Sequence, residues 1–79
     1  MVKTKAFVFI NTDAGIEKLL HEEIKSLDGV KEVYDLYGGE YDMMAIVEDE
    51  TDKDVAEIIS WELRKIKGIR STNTMVVAK

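Results

Sequence analysis

A 39-residue period runs through this chain. Thr12-Asp13 returns as Thr51-Asp52, and the apolar set Ile16, Leu19, Leu20, Ile24 and Leu27 returns as Val55, Ile58, Ile59, Leu63 and Ile66. The stretch from Glu23 to Lys31 then returns as Glu62 to Arg70, with Gly29 matched by Gly68. Each unit reads as one strand, one helix and one strand. Such a duplicated pair folds as one interleaved sheet, and the positions where the copies differ are where function is to be sought.

Seventy-nine residues make a single domain, spanning residues 1–79. A chain of this size buries only about 60 to 65% of the surface its unfolded form exposes, so its own core is thin and a partner is expected. No apolar run approaches the roughly 20 residues of a membrane span. The amino terminus shows neither the apolar stretch nor the small-residue cleavage site of a signal peptide, which places the chain in the cytoplasm. Zero cysteines remove disulfides and thiolate metal sites, and the single histidine leaves too few imidazoles for a typical zinc or copper centre. A formal charge of -5 supplies phosphate neutralisation poorly, so direct nucleic-acid binding is disfavoured. No cofactor is implied.

Lys3 to Asn11 reads as a strand, apolar on both alternate sets through Phe7, Val8, Phe9 and Ile10. Thr12 or Asp13 is placed to cap the helix that follows, whose apolar stripe runs from Ile16 to Leu27, and Gly29 suits its C′ position. Val30 to Tyr37 is a second strand, and Gly38-Gly39 signals a two-residue hairpin turn into a third at Met43 to Glu48. Thr51 with Asp54 resembles a capping box for a second helix over residues 53–67, and the last strand runs from Ile69 to Ala78. The order β-α-β-β-α-β predicts an α+β, ferredoxin-like split βαβ fold: a four-stranded antiparallel sheet with two helices on one face.

The other sheet face is left open. Whether Phe7 and Phe9 or Ala6, Val8 and Ile10 point there, with Met44 and Ile46 or Met43, Ala45 and Val47, water meets a large apolar patch. Four such side chains are worth about 6 to 12 kcal/mol on burial, against a small domain's whole stability of about 5 to 15 kcal/mol. The expectation is a homodimer packed sheet to sheet, in the manner of a dimeric α+β barrel.

Two segments go beyond what periodicity requires: Gly39-Glu40-Tyr41-Asp42, and Ser71-Thr72-Asn73-Thr74, whose repeat mates are Glu32-Val33-Tyr34-Asp35. Hydroxyls beside a glycine hairpin suit a small polar ligand, with backbone N–H groups for a carboxylate and Asp42 for an ammonium. The competing reading is a plain hairpin and an edge strand kept polar against aggregation. Trp61 stands one step off its helix stripe and reads as flank packing or a subunit contact. His21 reads as a solvated helix residue with no partner to orient it for catalysis. The run Glu48-Asp49-Glu50 with Asp52 and Asp54 supports a helix N-terminus.

Taken in order, Ala6 to Thr12, the Leu27 to Val33 turn, Gly39 to Asp42 and Gly68 to Thr74 closely resemble the RAM (regulation of amino-acid metabolism) domain of the Lrp/AsnC family. That resemblance implies the ligand-sensing and assembly half of a transcription regulator. With the first strand beginning near residue 3, a stand-alone RAM domain without a helix-turn-helix is expected. It also implies sheet-packed dimers, a ring of four or five dimers, and free amino acids bound at the seam between dimers. Carried over by motif, Gly39, Glu40, Tyr41 and Asp42 would form the hairpin side of that pocket, and Ser71, Thr72, Thr74 and Met75 its last-strand side. Gly38 departs from the family, where a side chain is common.

The leading expectation is therefore a non-enzymatic amino-acid sensor and oligomerisation module that co-assembles with a full-length Lrp/AsnC-type regulator. The rival is a small dimeric α+β barrel enzyme, for which the chain offers only His21 and hairpin carboxylates. An acylphosphatase-like hydrolase on the same topology lacks an arginine and asparagine cradle, Asn11 alone being insufficient.

Overall fold

The computed structural model describes residues 3–77. Met1, Val2, Ala78 and Lys79 lie outside the described residues, and with them the predicted end of the last strand. The elements follow in the predicted order: β1 (Thr4–Thr12), α1 (Glu17–Lys25), β2 (Val30–Asp35), β3 (Met43–Asp49), α2 (Asp52–Glu57) continuing as a π-helical segment (Ile58–Leu63), and β4 (Ile69–Val76). The strands form one antiparallel sheet in the order β2-β3-β1-β4, the ferredoxin-like arrangement.

β1 settles which face is dry. Ala6, Val8 and Ile10 are fully buried beneath the helices, together with Met43, Ala45 and Val47 of β3, Leu20 and Ile24 of α1, and Val55, Ile58, Ile59 and Leu63 of the second helix. Strand side chains alternate in direction, so Phe7, Phe9, Met44 and Ile46 point to the opposite, open face, where they are half-buried. Tyr34 and Met75 extend this patch, each paired in register with one of its members, Met44 and Phe7. The Glu32 carboxylate beside Tyr34 pushes that phenol's pKa up from its ordinary value.

The duplication survives in the irregularities as well as the elements. Gly29 and Gly68 both take positive φ, +91° and +103°. A Cβ at Gly29 would collide with Ile58, and one at Gly68 with Ile16, so each glycine lets a helix pack directly on the turn of the other unit. Each turn leads into a β-bulge, with Lys31 as the extra residue in β2 and Arg70 in β4.

Several local expectations are corrected. α1 begins at Glu17, with Ile16 at the N-cap position and no side-chain cap, whereas Thr12 stays in β1. The reason is competition: the Thr12 N–H donates to Asp42 Oδ2 at 2.9 Å and the Asp13 N–H to the Gly68 carbonyl at 2.9 Å, which prolongs the strand past the capping position. Its repeat mate Thr51 does cap α2, its hydroxyl accepting the Asp54 N–H at 3.1 Å. Gly29 lies beyond the C′ position, because α1 already ends at Ser26. Gly38-Gly39 is not a two-residue turn. β2 ends at Asp35, only Gly38 of the pair has positive φ, and the connection runs through residues 36–42, closed by a bond from the Leu36 N–H to the Asp42 carbonyl at 2.9 Å.

The second helix changes pitch, with the Arg64 N–H reaching back to the Ile59 carbonyl at 3.0 Å. This buries the neighbours Ile58 and Ile59 together, while in α1 the mate of Ile58, Leu19, is left 74% exposed. Trp61 is 62% exposed, with the Lys65 ammonium over its ring at 4.6 Å. His21 does have a partner: its Nδ1 is 3.1 Å from Asp35 Oδ1.

Replacing Gly29 or Gly68 by alanine forces a side chain into both a left-handed conformation and an occupied space. Urea denaturation is expected to show a loss on the order of 2 to 5 kcal/mol for either variant. Gly39→Ala, at ordinary φ with open space around it, should stay within about 0.5 kcal/mol of the parent.

Candidate functional site

The 36–42 connection is tied down at its end rather than left as a free loop. The Asp42 N–H donates to the Ile10 carbonyl at 2.9 Å, which seats Asp42 beside the last residues of β1. One carboxylate oxygen, Oδ2, then accepts from Thr12. Tyr41 lies across the open face with its ring 5.3 Å from that of Phe9, and its phenol oxygen accepts from Asn73 Nδ2 at 3.0 Å. Asn73 is the β4 partner of Phe9, so Tyr41 bridges the connection to β4 over the central strand. One position along, Asn11 Nδ2 donates to Ser71 Oγ at 3.3 Å.

These ties gather Asn11, Thr12, Glu40, Asp42, Arg70 and Ser71 around a shallow recess of about 430 Å³. Two carboxylates stand on one wall and a guanidinium on the other. Thr12 is 7% exposed, and its hydroxyl oxygen is buried without a hydrogen-bond partner. An orphaned buried hydroxyl costs roughly 1 to 3 kcal/mol. Arg70 is only loosely engaged, its Nε 3.8 Å from an Asp13 oxygen with both side chains exposed.

Of the eight residues expected in the pocket, Glu40, Asp42 and Ser71 converge on this recess, and Tyr41 stands beside it through Asn73. Thr72 and Thr74 project toward the helices and line a different groove, of about 600 Å³, between α2 and β4. Met75 lies on the open face opposite Phe7, and Gly39 sits in the connection with open space around it. Strand alternation is the cause: 71, 73 and 75 face one way and 72 and 74 the other.

Asn11, Thr12 and Arg70 were missed by sequence reasoning. The repeat marks neither Thr12 nor Arg70 for binding, since Thr12 matches a helix cap that it does not become and Arg70 is placed by a bulge, as its mate Lys31 is. Among the described residues no three His, Asp or Glu side chains form a cation-holding group, and no helix is long and apolar enough to cross a membrane.

The ferredoxin-like sheet thus carries a polar recess where its hairpin connection meets its last strand. The family model for the Lrp/AsnC ligand binding domain matches residues 5–79, and the chain belongs to that family. An HTH-type transcriptional regulator of Pyrococcus furiosus is 38% identical over 76 residues, covering 92% of this chain and 50% of that protein. The chain thus spans about half the length of the curated relatives it matches. A hypothetical protein from Pyrococcus horikoshii has a TM-score of 0.88 at 37% identity, over 96% of this chain and 90% of that one. A transcriptional regulator of Neisseria meningitidis, solved as an L-Met complex, shares the fold at 14% identity with a TM-score of 0.84, over 96% of this chain and 50% of that one.

Thr12→Val removes the orphaned hydroxyl at nearly constant volume. In the absence of ligand it is expected to leave stability unchanged or raise it by about 1 to 2 kcal/mol in urea denaturation, the opposite sign from a typical buried substitution.

Proposed function

We propose that this chain is a non-enzymatic amino-acid sensor of the cytoplasm, acting as an assembly module for Lrp/AsnC-type transcription regulators. The observation that carries this reading is the pairing of opposite charges across one small recess, Asp42 and Glu40 against Arg70, with the unpartnered Thr12 hydroxyl between β1 and the hairpin. A zwitterion matches that arrangement. Asp42 Oδ1 takes the ammonium while Oδ2 stays on the Thr12 N–H, and Arg70, with backbone N–H groups of the 39–41 segment, receives the carboxylate. Ser71 supplies a hydroxyl. Membership of a ligand-binding domain family and the L-Met complex of the Neisseria regulator favour an amino acid over other zwitterions.

The recess is shallow, which fits a site completed by a neighbouring subunit. Phe7, Phe9, Met44, Ile46, Tyr34 and Met75 give the open face the apolar character of a subunit contact. We infer a dimer closed sheet to sheet on that face, with dimers joined into a ring of four or five and co-assembly with a full-length regulator as the regulatory output.

Calorimetric titration of each common amino acid, with sedimentation run in parallel, tests the sensor. One amino acid or a small group should give saturable heat, and Asp42→Asn should weaken it roughly tenfold or more by removing the ammonium's charge partner. Silence from all of them with no change in assembly would leave a purely structural role. For the dimer, Phe9→Asp buries a charge at the centre of the proposed contact. Equilibrium sedimentation at micromolar concentration should show the parent as dimer or larger and the variant as monomer.

A further inference from the structure

We propose that the groove between the second helix and β4 is a second ligand site, one for an organic acid. Its anionic oxygens are held by Arg64 and Arg70, and its apolar body lies along Val55, Ile59 and Ile69.

The internal repeat supplies the comparison. In the first unit α1 packs closely on β2, Val30 and Val33 are buried, and the His21–Asp35 contact at 3.1 Å spans the gap from helix to edge strand. Thirty-nine residues on, the mates of His21 and Asp35 are Ser60 and Thr74. Neither reaches the other side, and both line the groove. The second helix stands off β4, none of whose residues is buried, and Val76 is left 55% exposed on the helix side. The resulting space of about 600 Å³ falls within the range of roughly 300 to 1,000 Å³ usual for small-molecule sites. The π-helical segment contributes Ile59 and Ser60 to its wall, and π turns recur where helices serve a ligand.

The chemistry is set by which cation stands where. Of the eleven basic residues only Arg64 and Arg70 are arginine, and both line this groove; Arg70, with Ser71, also borders the hairpin recess, so Arg64 is the cation particular to the groove, and the repeat mates of the two arginines are Lys25 and Lys31. A guanidinium offers a planar fork to a carboxylate or phosphate where an ammonium offers a point charge. Both arginines sit at one end, where the π segment turns back into β4, and the bulge at Arg70 re-aims that side chain out of the strand's alternation. The only carboxylate in the lining is Asp52, at the far end, where the Thr4 hydroxyl donates to it at 2.6 Å. No carboxylate lines the groove beside Arg64, and Asp13, 3.8 Å from Arg70 Nε, lies outside the lining, so the groove suits an acid without the ammonium proposed for the hairpin recess.

Titrations followed by backbone amide NMR separate the two sites and the two kinds of oxyanion. The probes are 4-methyl-2-oxopentanoate and hexanoate for carboxylates, hexyl phosphate and inorganic phosphate for phosphates. At least one probe with an apolar body should give saturable shifts along α2, the π segment and β4, and inorganic phosphate should bind more weakly than hexyl phosphate. Arg64→Gln, a change at an exposed residue that does not line the hairpin recess, should weaken the effect roughly tenfold or more and leave amino-acid shifts at the 36–42 connection intact. The pair Ser60→His and Thr74→Asp, which installs the first unit's bridge, should abolish it; if that variant does not fold, Arg64→Gln decides. The proposal is overturned if no probe gives saturable shifts at millimolar concentration, if Arg64→Gln leaves them unchanged, or if dilution alone moves the same resonances, which would mark a second copy in the groove.

Discussion

The pairing of β1 on both edges governs everything else in this molecule. Its N–H and C=O groups are matched to β3 on one side and β4 on the other, from Thr4↔Asp49 to Ile10↔Met43 and from Ala6↔Val76 to Asn11↔Ser71. A slip of one residue would exchange Ala6, Val8 and Ile10 for Phe7 and Phe9 under the helices and carry every site residue to the wrong face. Because β3 and β4 are read against the same strand, the start of β3 and the start of β4 meet at the end of β1. That is how Asp42 and Ser71, far apart in the chain, come to share one recess.

The hydroxyl left without a partner follows from a contest between two local demands on Thr12. Its mate Thr51 satisfies the usual one, its hydroxyl oxygen accepting the Asp54 N–H at the start of a helix. Thr12 is instead held in the sheet by the Asp42 carboxylate on its N–H, and α1 starts later. The side chain that would have capped a helix is thereby buried at the edge of a charged recess. A scaffold made of two near-copies generates a site where one copy is prevented from closing in the way the other does.

Much of this architecture was legible beforehand. The 39-residue period, the switch between twofold and helical apolar spacing, and Thr51 with its capped helix lead directly to the element order and the open face. The failures lie where a residue's fate depends on a contact distant in sequence. Gly38-Gly39 carries the composition of a tight turn, yet Asp42 is drawn onto Ile10 and the connection lengthens. Ser71, Thr72, Thr74 and Met75 look like one motif on paper, but a strand sends neighbours to opposite faces, so their chemistry divides between the recess, the groove and the open face. Arg70 was invisible because a bulge, not a motif, decides where it points.

The two units also divide the work of stability. The first closes on itself: α1 covers β2, Val30 and Val33 are buried, and His21 meets Asp35. The second does not, since the edge of β4 and its helix side stay accessible and Met75 and Val76 are both more than half exposed. With each nearly half covered already, leaving the rest of these two side chains in water forgoes stabilisation on the order of 1.5 to 3 kcal/mol, a sizeable share of what a domain this small can hold. That cost falls on both faces of β4, Met75 on the open face and Val76 on the helix side, so the stability of the chain is coupled to whatever covers that strand. Any ligand or subunit bound there in the folded state alone stabilises the fold by mass action, so occupancy and folding report on each other.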